Sequence, residues 1–177
     1  MSYEVGKKAL DFLIANSGNR EHLEVDFFGG EPLMNWDVVK RLVKYGRSQE
    51  EARHKKFRFT LTTNGVLLND EVMEFCNREM SNVVLSLDGR KDVNDKMRPF
   101  RNGSGSYDLI VPKFRKFADS RKQRNYYVRG TFTRNNLDFA ETCFTMRTWD
   151  LSRCPWSRWW LTRQRITPSG RRTFRSS

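Results

Sequence analysis

Hydrophobic and polar positions follow two rhythms along this chain. Val5, Ala9, Phe12 and Leu13 recur near helical spacing behind Ser2, which suits an N-cap, and Asn16-Ser17-Gly18 ends the run. Leu23 to Phe28 reads as a strand. Asn35 is a good N-cap for a helix from Trp36 to about Glu51, with Val39, Leu42 and Val43 on one face. Phe57 to Thr62 is a second strand, and Asn69 caps a short helix through Val72, Phe75 and Cys76. Asn82 to Leu87 is a third strand. A polar, glycine-containing loop follows, and Ser106 can cap a helix carrying Leu109, Ile110, Phe114 and Phe117. Tyr126 to Thr133 is a fourth strand, after which Leu137 and Phe139 begin another helix.

The order αβαβαβαβα predicts an α/β fold: a parallel sheet with flanking helices and right-handed crossovers. Sites in such folds form at the carboxyl ends of strands. Three motifs fall there: Gly29-Gly30-Glu31-Pro32, Thr62-Thr63-Asn64-Gly65 and Ser86-Leu87-Asp88-Gly89. They are expected to face one crevice. The glycine pair lets backbone approach a ligand, and Glu31 fixes a carboxylate beside it. Twelve residues after Ser86, Arg98 offers a planar fork that suits a carboxylate. Arg129 and Thr131 alternate on the fourth strand and so share a face. Cys76 reads as a buried structural thiol, and Lys55-Lys56 and Arg121-Lys122 read as solvated charge.

Composition changes the picture at one end only. The chain has 177 residues, a net charge of +12 and a pI near 10, which first suggests an anionic partner. Residues 142–177 hold eight Arg, no Lys and one Asp, so most of the excess charge sits there. They also hold four of the five tryptophans, with no helical or strand period. Such a mixture is what GC-rich coding DNA yields when read out of frame. In the frame shifted back by one base, Trp159-Trp160 forces a Val. One consistent codon choice from Thr142 onward yields a helix ending in Gly, an alternating strand and an acidic loop. The expectation is therefore two segments. Residues 1–141 form the folded core, and 142–177 form a frameshifted, disordered Arg/Trp-rich tail that does not pack on it.

Cys76, Cys143 and Cys154 match neither a zinc knuckle nor a cluster loop, and no disulfide framework is suggested. A reducing cytoplasm is the default. No apolar run approaches the ~20 residues of a membrane span.

The three motifs, in their order, resemble the radical S-adenosylmethionine (radical SAM) enzymes of the branch that modifies peptides. The resemblance covers about Ser2 to Glu141 and is closest to the maturases that install thioether cross-links in the SCIFF peptide. It implies a partial (β/α)6-type barrel, with SAM and a [4Fe-4S] cluster as cofactors and a cysteine-rich precursor peptide as partner. It also implies auxiliary clusters in a C-terminal SPASM domain. By the same resemblance Gly29, Gly30 and Glu31 hold the methionyl ammonium of SAM. Ser86 and Arg98 hold its carboxylate, and Asn64, Asp88 and Arg129 line the pocket. The family's CxxxCxxC cluster motif is missing from the sequence, with the first strand and its cysteines expected upstream of Met1. The chain itself is therefore expected to be inactive. The alternative is a small basic α/β module that grips nucleic acid with its Arg/Trp tail.

Overall fold

The computed structural model describes residues 1–122, 124–132 and 160–163. Helix α1 (Tyr3–Asn16) leads to β1 (His22–Phe27). A 3-10 turn (Pro32–Asn35) opens α2 (Trp36–Arg53), which returns to β2 (Lys56–Thr63). Then come α3 (Asp70–Glu79), β3 (Met80–Ser86), α4 (Lys91–Met97), α5 (Tyr107–Arg121), β4 (Tyr127–Phe132) and β5 (Trp160–Arg163). Ser2 and Asn69 cap α1 and α3 as expected, each accepting from a backbone N–H three residues on. Asn35 and Ser106 do not cap through their side chains; Asn35 donates to the Met1 carbonyl and Ser106 to the Arg98 carbonyl.

The sheet runs β1-β2-β3-β4-β5, and every neighbouring pair is parallel. Right-handed crossovers that always step the same way put all helices on one face. A doubly wound sheet reverses direction and covers both. The burial pattern agrees. Leu23, Phe27, Phe57, Phe59, Leu61, Val83, Leu85 and Val128 are buried beneath the helices. Alternate positions carry Glu24, Asp26, Arg58, Thr60, Thr62, Asn82, Ser86 and Arg129 to the other face. An apolar face under helices and a polar face opposite are what one wall of a barrel presents.

Three features depart from the expectations. Residues 91–97, inside the expected loop, form α4, whose Val93 and Asn94 are buried. Arg121 is not solvated charge: it is 1 % exposed and donates to the carbonyls of Cys76, Met80 and Asn125 at 2.8, 3.2 and 2.6 Å. A third departure concerns the tail. Trp160–Arg163 pair with Arg129–Phe132, so the expectation that nothing after residue 141 packs on the core fails for these four residues. The rest of the tail, the helix expected from Leu137, Cys143 and Cys154 lie outside the described residues.

Cys76 is fully buried on α3, as expected, and burial pushes its thiol up to about 12. It should therefore resist iodoacetamide at pH 8 in the folded chain and react after unfolding in urea. Peptide mapping that finds Cys76 alkylated in the native protein at the rate of a free thiol would contradict this packing.

Candidate functional site

The carboxyl ends of β1 to β4 build one crevice on the polar face. Gly29 and Gly30 follow β1 with φ of +98° and +55°, and a side chain added at either would point into open space. Positive φ at two successive residues favours glycine and leaves the backbone bare toward the crevice.

Glu31 then turns inward and binds the next strand. Its Oε1 accepts from Thr63 Oγ1 at 2.8 Å and from the Leu33 N–H at 3.1 Å; its Oε2 accepts from the Asn64 N–H at 2.7 Å. The carboxylate thus locks the first motif to the second. A carboxylate has about four acceptor positions, so one remains for a ligand. Asn64 itself shapes the turn, its Oδ1 accepting from the Val66 N–H at 3.0 Å.

Ser86 ends β3, 5 % exposed, with Arg129 as its partner across β4. Asp88 follows, 3 % exposed. Its Oδ1 accepts from the Thr131 N–H at 2.6 Å and from Arg98 Nη2 at 3.2 Å. Arg98 Nε lies 2.7 Å from Asp88 Oδ2, an ion pair off the line of a hydrogen bond. Arg98 is therefore anchored by Asp88 rather than free.

Arg129 reaches across the trough. Its guanidinium carbon lies 4.9 Å from the centre of the Phe28 ring. β1 and β4 are three strands apart, about 14 Å in a flat sheet at ~4.8 Å per strand. Two long side chains leaning over β2 and β3 close that gap and join the two sides of the polar face. Burial, and next the charge of Arg98, lower the Arg129 pKa, while Asp26 and Asp88 oppose them. Burial raises the Asp26 pKa against the pull of Arg129. Asp26 and Asp88 thus share this edge with Arg98 and Arg129.

All eight sequence-predicted residues lie along this edge: Gly29, Gly30, Glu31, Asn64, Ser86, Asp88, Arg98 and Arg129. Sequence reasoning placed Thr63 at this edge within its motif but gave no site role to Phe28, Asp26, Asn94 and Ser106. The alternation of β1 was a usable signal for Asp26 and Phe28; Asn94 sits in a polar run that carried none. A groove of about 690 Å³ lined by Leu68, Asn69, Met73 and Lys113 lies apart, between α3 and α5.

The edge offers both charges that a zwitterionic ligand would need: a carboxylate at Glu31 and guanidiniums at Arg98 and Arg129. Thr62 Oγ1, on the same face, is buried without a hydrogen-bond partner, as a polar ligand's neighbour would be. The described residues do not fit a [4Fe-4S] cluster. Among them no three His, Cys, Asp or Glu side chains gather as metal ligands, and Cys76 lies under the opposite, apolar face. No helix among them is long and apolar enough to cross a membrane.

Comparison with known proteins supports the barrel reading and gives none to the nucleic-acid alternative. The radical SAM cyclopropyl synthase TigE of Paramaledivibacter caminithermalis is 26% identical over 123 residues, 68% of this chain and 24% of TigE. Fe-coproporphyrin III synthase of Methanosarcina barkeri is 37% identical over 112 residues, 63% of this chain and 25% of the synthase. The solved structure of native anSMEcpe with bound AdoMet and Kp18Cys peptide superposes with a TM-score of 0.78 at 18% identity, over 92% of this chain and 43% of that one. This chain spans between 23% and 35% of the length of the curated relatives it matches. The family description "Radical SAM superfamily" matches residues 8–141, three quarters of the chain. The chain belongs to the radical SAM superfamily.

Proposed function

We propose that residues 1–141 form the SAM-binding wall of a radical SAM enzyme that modifies a ribosomally made peptide. The reaction in this reading is thioether cross-linking of a cysteine-rich precursor. The observation that carries it is that Glu31, Arg98 and Arg129 follow or end β1, β3 and β4 at one edge of the parallel sheet, offering both charges that a methionyl group needs. Glu31 and the bare Gly29-Gly30 backbone take the ammonium. Ser86, Arg98 and Arg129 take the carboxylate, and Asn64 holds the turn beside them. SAM, once bound, supplies the adenosyl group from which this superfamily makes a hydrogen-abstracting radical. The relatives' names span unlike substrates, so the peptide and its thioether rest on motif likeness in segments 25–36, 58–68, 82–101 and 128–136.

The chain as it stands does not run that chemistry in this reading. Its sequence holds no CxxxCxxC run, and a cluster without thiolates is not held. Residues from about Thr142 are read as translated out of frame, which accounts for their Arg and Trp content and the absence of period. The intact enzyme would carry further clusters in a SPASM domain and work in the cytoplasm. Anaerobic iron-sulfur reconstitution of the purified chain tests the reading. It should give no stoichiometric [4Fe-4S] absorbance and no SAM cleavage, while the chain still retains SAM in equilibrium dialysis. Cluster formation with SAM cleavage would overturn the inactivity, and no SAM retention would overturn the binding role. The nucleotides around codon 142 test the frameshift: an early stop in the shifted frame would refute it.

A further inference from the structure

Both Asp88 oxygens are occupied by Arg98, and one of them also by the Thr131 N–H. Behind this pair lies Asn94, with 0 % exposure. Its Oδ1 accepts from the Asp88 N–H at 3.3 Å, and its Nδ2 donates to Ser106 Oγ at 3.2 Å. The Ser106 hydroxyl in turn donates to the Arg98 carbonyl at 2.7 Å. The ring Asp88–Asn94–Ser106–Arg98 closes on itself. It ties the end of β3 to both ends of the excursion that carries Arg98, and through Thr131 to β4.

We infer that Asp88 and Asn94 are positioning residues: they hold the Arg98 fork for an incoming carboxylate and do not themselves bind it. The inference rests on the proposed SAM reading and reassigns Asp88 within it. Three arguments carry it. A buried carboxylate facing a ligand carboxylate repels it, so Asp88 is unsuited to direct contact with that group. Arg presents five N–H donors in a rigid fork; Asp88 takes the Nε and Nη2 edge, which leaves the Nη1 end for a second carboxylate. Arg98 remains 27% exposed, so that end is reachable. A fork already fixed on one edge loses little freedom when it binds on the other. Asn94 is specified by chemistry as well as size: it must accept from one neighbour and donate to the other at once, which Asp or Leu cannot do.

The test uses the 177-residue chain with two probes, SAM and 5′-methylthioadenosine, which lacks the methionyl carboxylate. Asp88→Asn keeps an acceptor for Thr131 but turns a donor toward Arg98. It should weaken SAM binding about tenfold, close to the loss from Arg98→Ala, with the double variant no weaker than either. Methylthioadenosine affinity should stay unchanged in all three, which a merely structural defect would not allow. Asn94→Ser should act in the same direction. Unchanged SAM affinity in Asp88→Asn, or equal losses for both probes, would overturn the inference. If the wild-type chain binds neither probe, the SAM reading fails, and the Arg98 Nη2–H resonances decide the positioning role alone. Slow exchange in wild type, lost in both Asp88→Asn and Asn94→Ser, supports it; slow exchange retained in either variant refutes it.

Discussion

Arg121→Ala should lower the unfolding free energy of this chain by about 3–5 kcal/mol, the sum of a cavity and several stranded carbonyls. Arg121 is among the largest fully buried side chains among the described residues. Among the described residues it meets no carboxylate. Instead Nη1 donates to Cys76 O, near the end of α3, and Nη2 is shared among the carbonyls of Met80, Ser81 and Asn125. A cation there also complements the C-terminal end of the α3 dipole. The position has a second consequence. β3 slips by one residue against β2 at its start, where Phe59 faces Met80 and Thr60 already faces Asn82. Ser81 is the extra residue, and its carbonyl and that of Met80 are the ones Arg121 serves. Holding that bulge sets the register that delivers Ser86 to the crevice. Burial lowers the Arg121 pKa to about 10, and the side chain still carries its charge at pH 7. Urea denaturation followed by circular dichroism measures the effect. Arg121→Met should recover the packing share and leave the carbonyls unserved. A loss below 1 kcal/mol in Arg121→Ala would mean that water replaces the guanidinium.

Glu31→Ala should cost about 2–3 kcal/mol of stability, because hydrogen bonds to a charged group are worth more than neutral ones. Three donors lose their acceptor at once: the Leu33 and Asn64 N–H groups and Thr63 Oγ1. The loss is local to two loops, so the β1–β2 ladder itself should survive. SAM affinity should fall by more than tenfold, since the ammonium loses its carboxylate and both loops lose their tie. Glu31→Gln separates the two effects. It keeps an acceptor for Thr63 and Leu33, so stability should recover in part while SAM affinity stays low. Equal SAM affinity in wild type and Glu31→Gln would show that the carboxylate's charge is not used on the ligand.

The strands were legible because alternation and the turn residues at their ends agree. His22–Phe27 and Lys56–Thr63 differ from the expected bounds by one residue at each end, a shift that fraying alone allows. The parallel sheet followed from alternating strands and helices. That it is wound one way, with one polar face, follows only from pairings between distant residues. α4 was hidden because Lys91, Asp92, Asp95 and Lys96 surround its buried Val93 and Asn94 with charge. Arg121 looked solvated because Arg-Lys at a helix end usually is; two of its acceptors, Cys76 and Met80, lie more than forty residues away. The crevice residues were legible from motifs, but their partners were not. Asp88 meets Arg98 inside the connection that follows β3, and Arg129 meets Phe28 across two intervening strands.

The central claim is that the carboxyl edge of this sheet binds SAM. Amide chemical-shift mapping of the ¹⁵N-labelled chain, titrated with SAM, tests it most directly. The account predicts saturable shifts at Gly29, Gly30, Glu31, Asn64, Ser86 and Arg129, with the Arg98 side-chain signals moving in step. Saturable shifts confined to Leu68, Asn69, Met73 and Lys113, in the groove between α3 and α5, or no shifts at millimolar SAM, would contradict it.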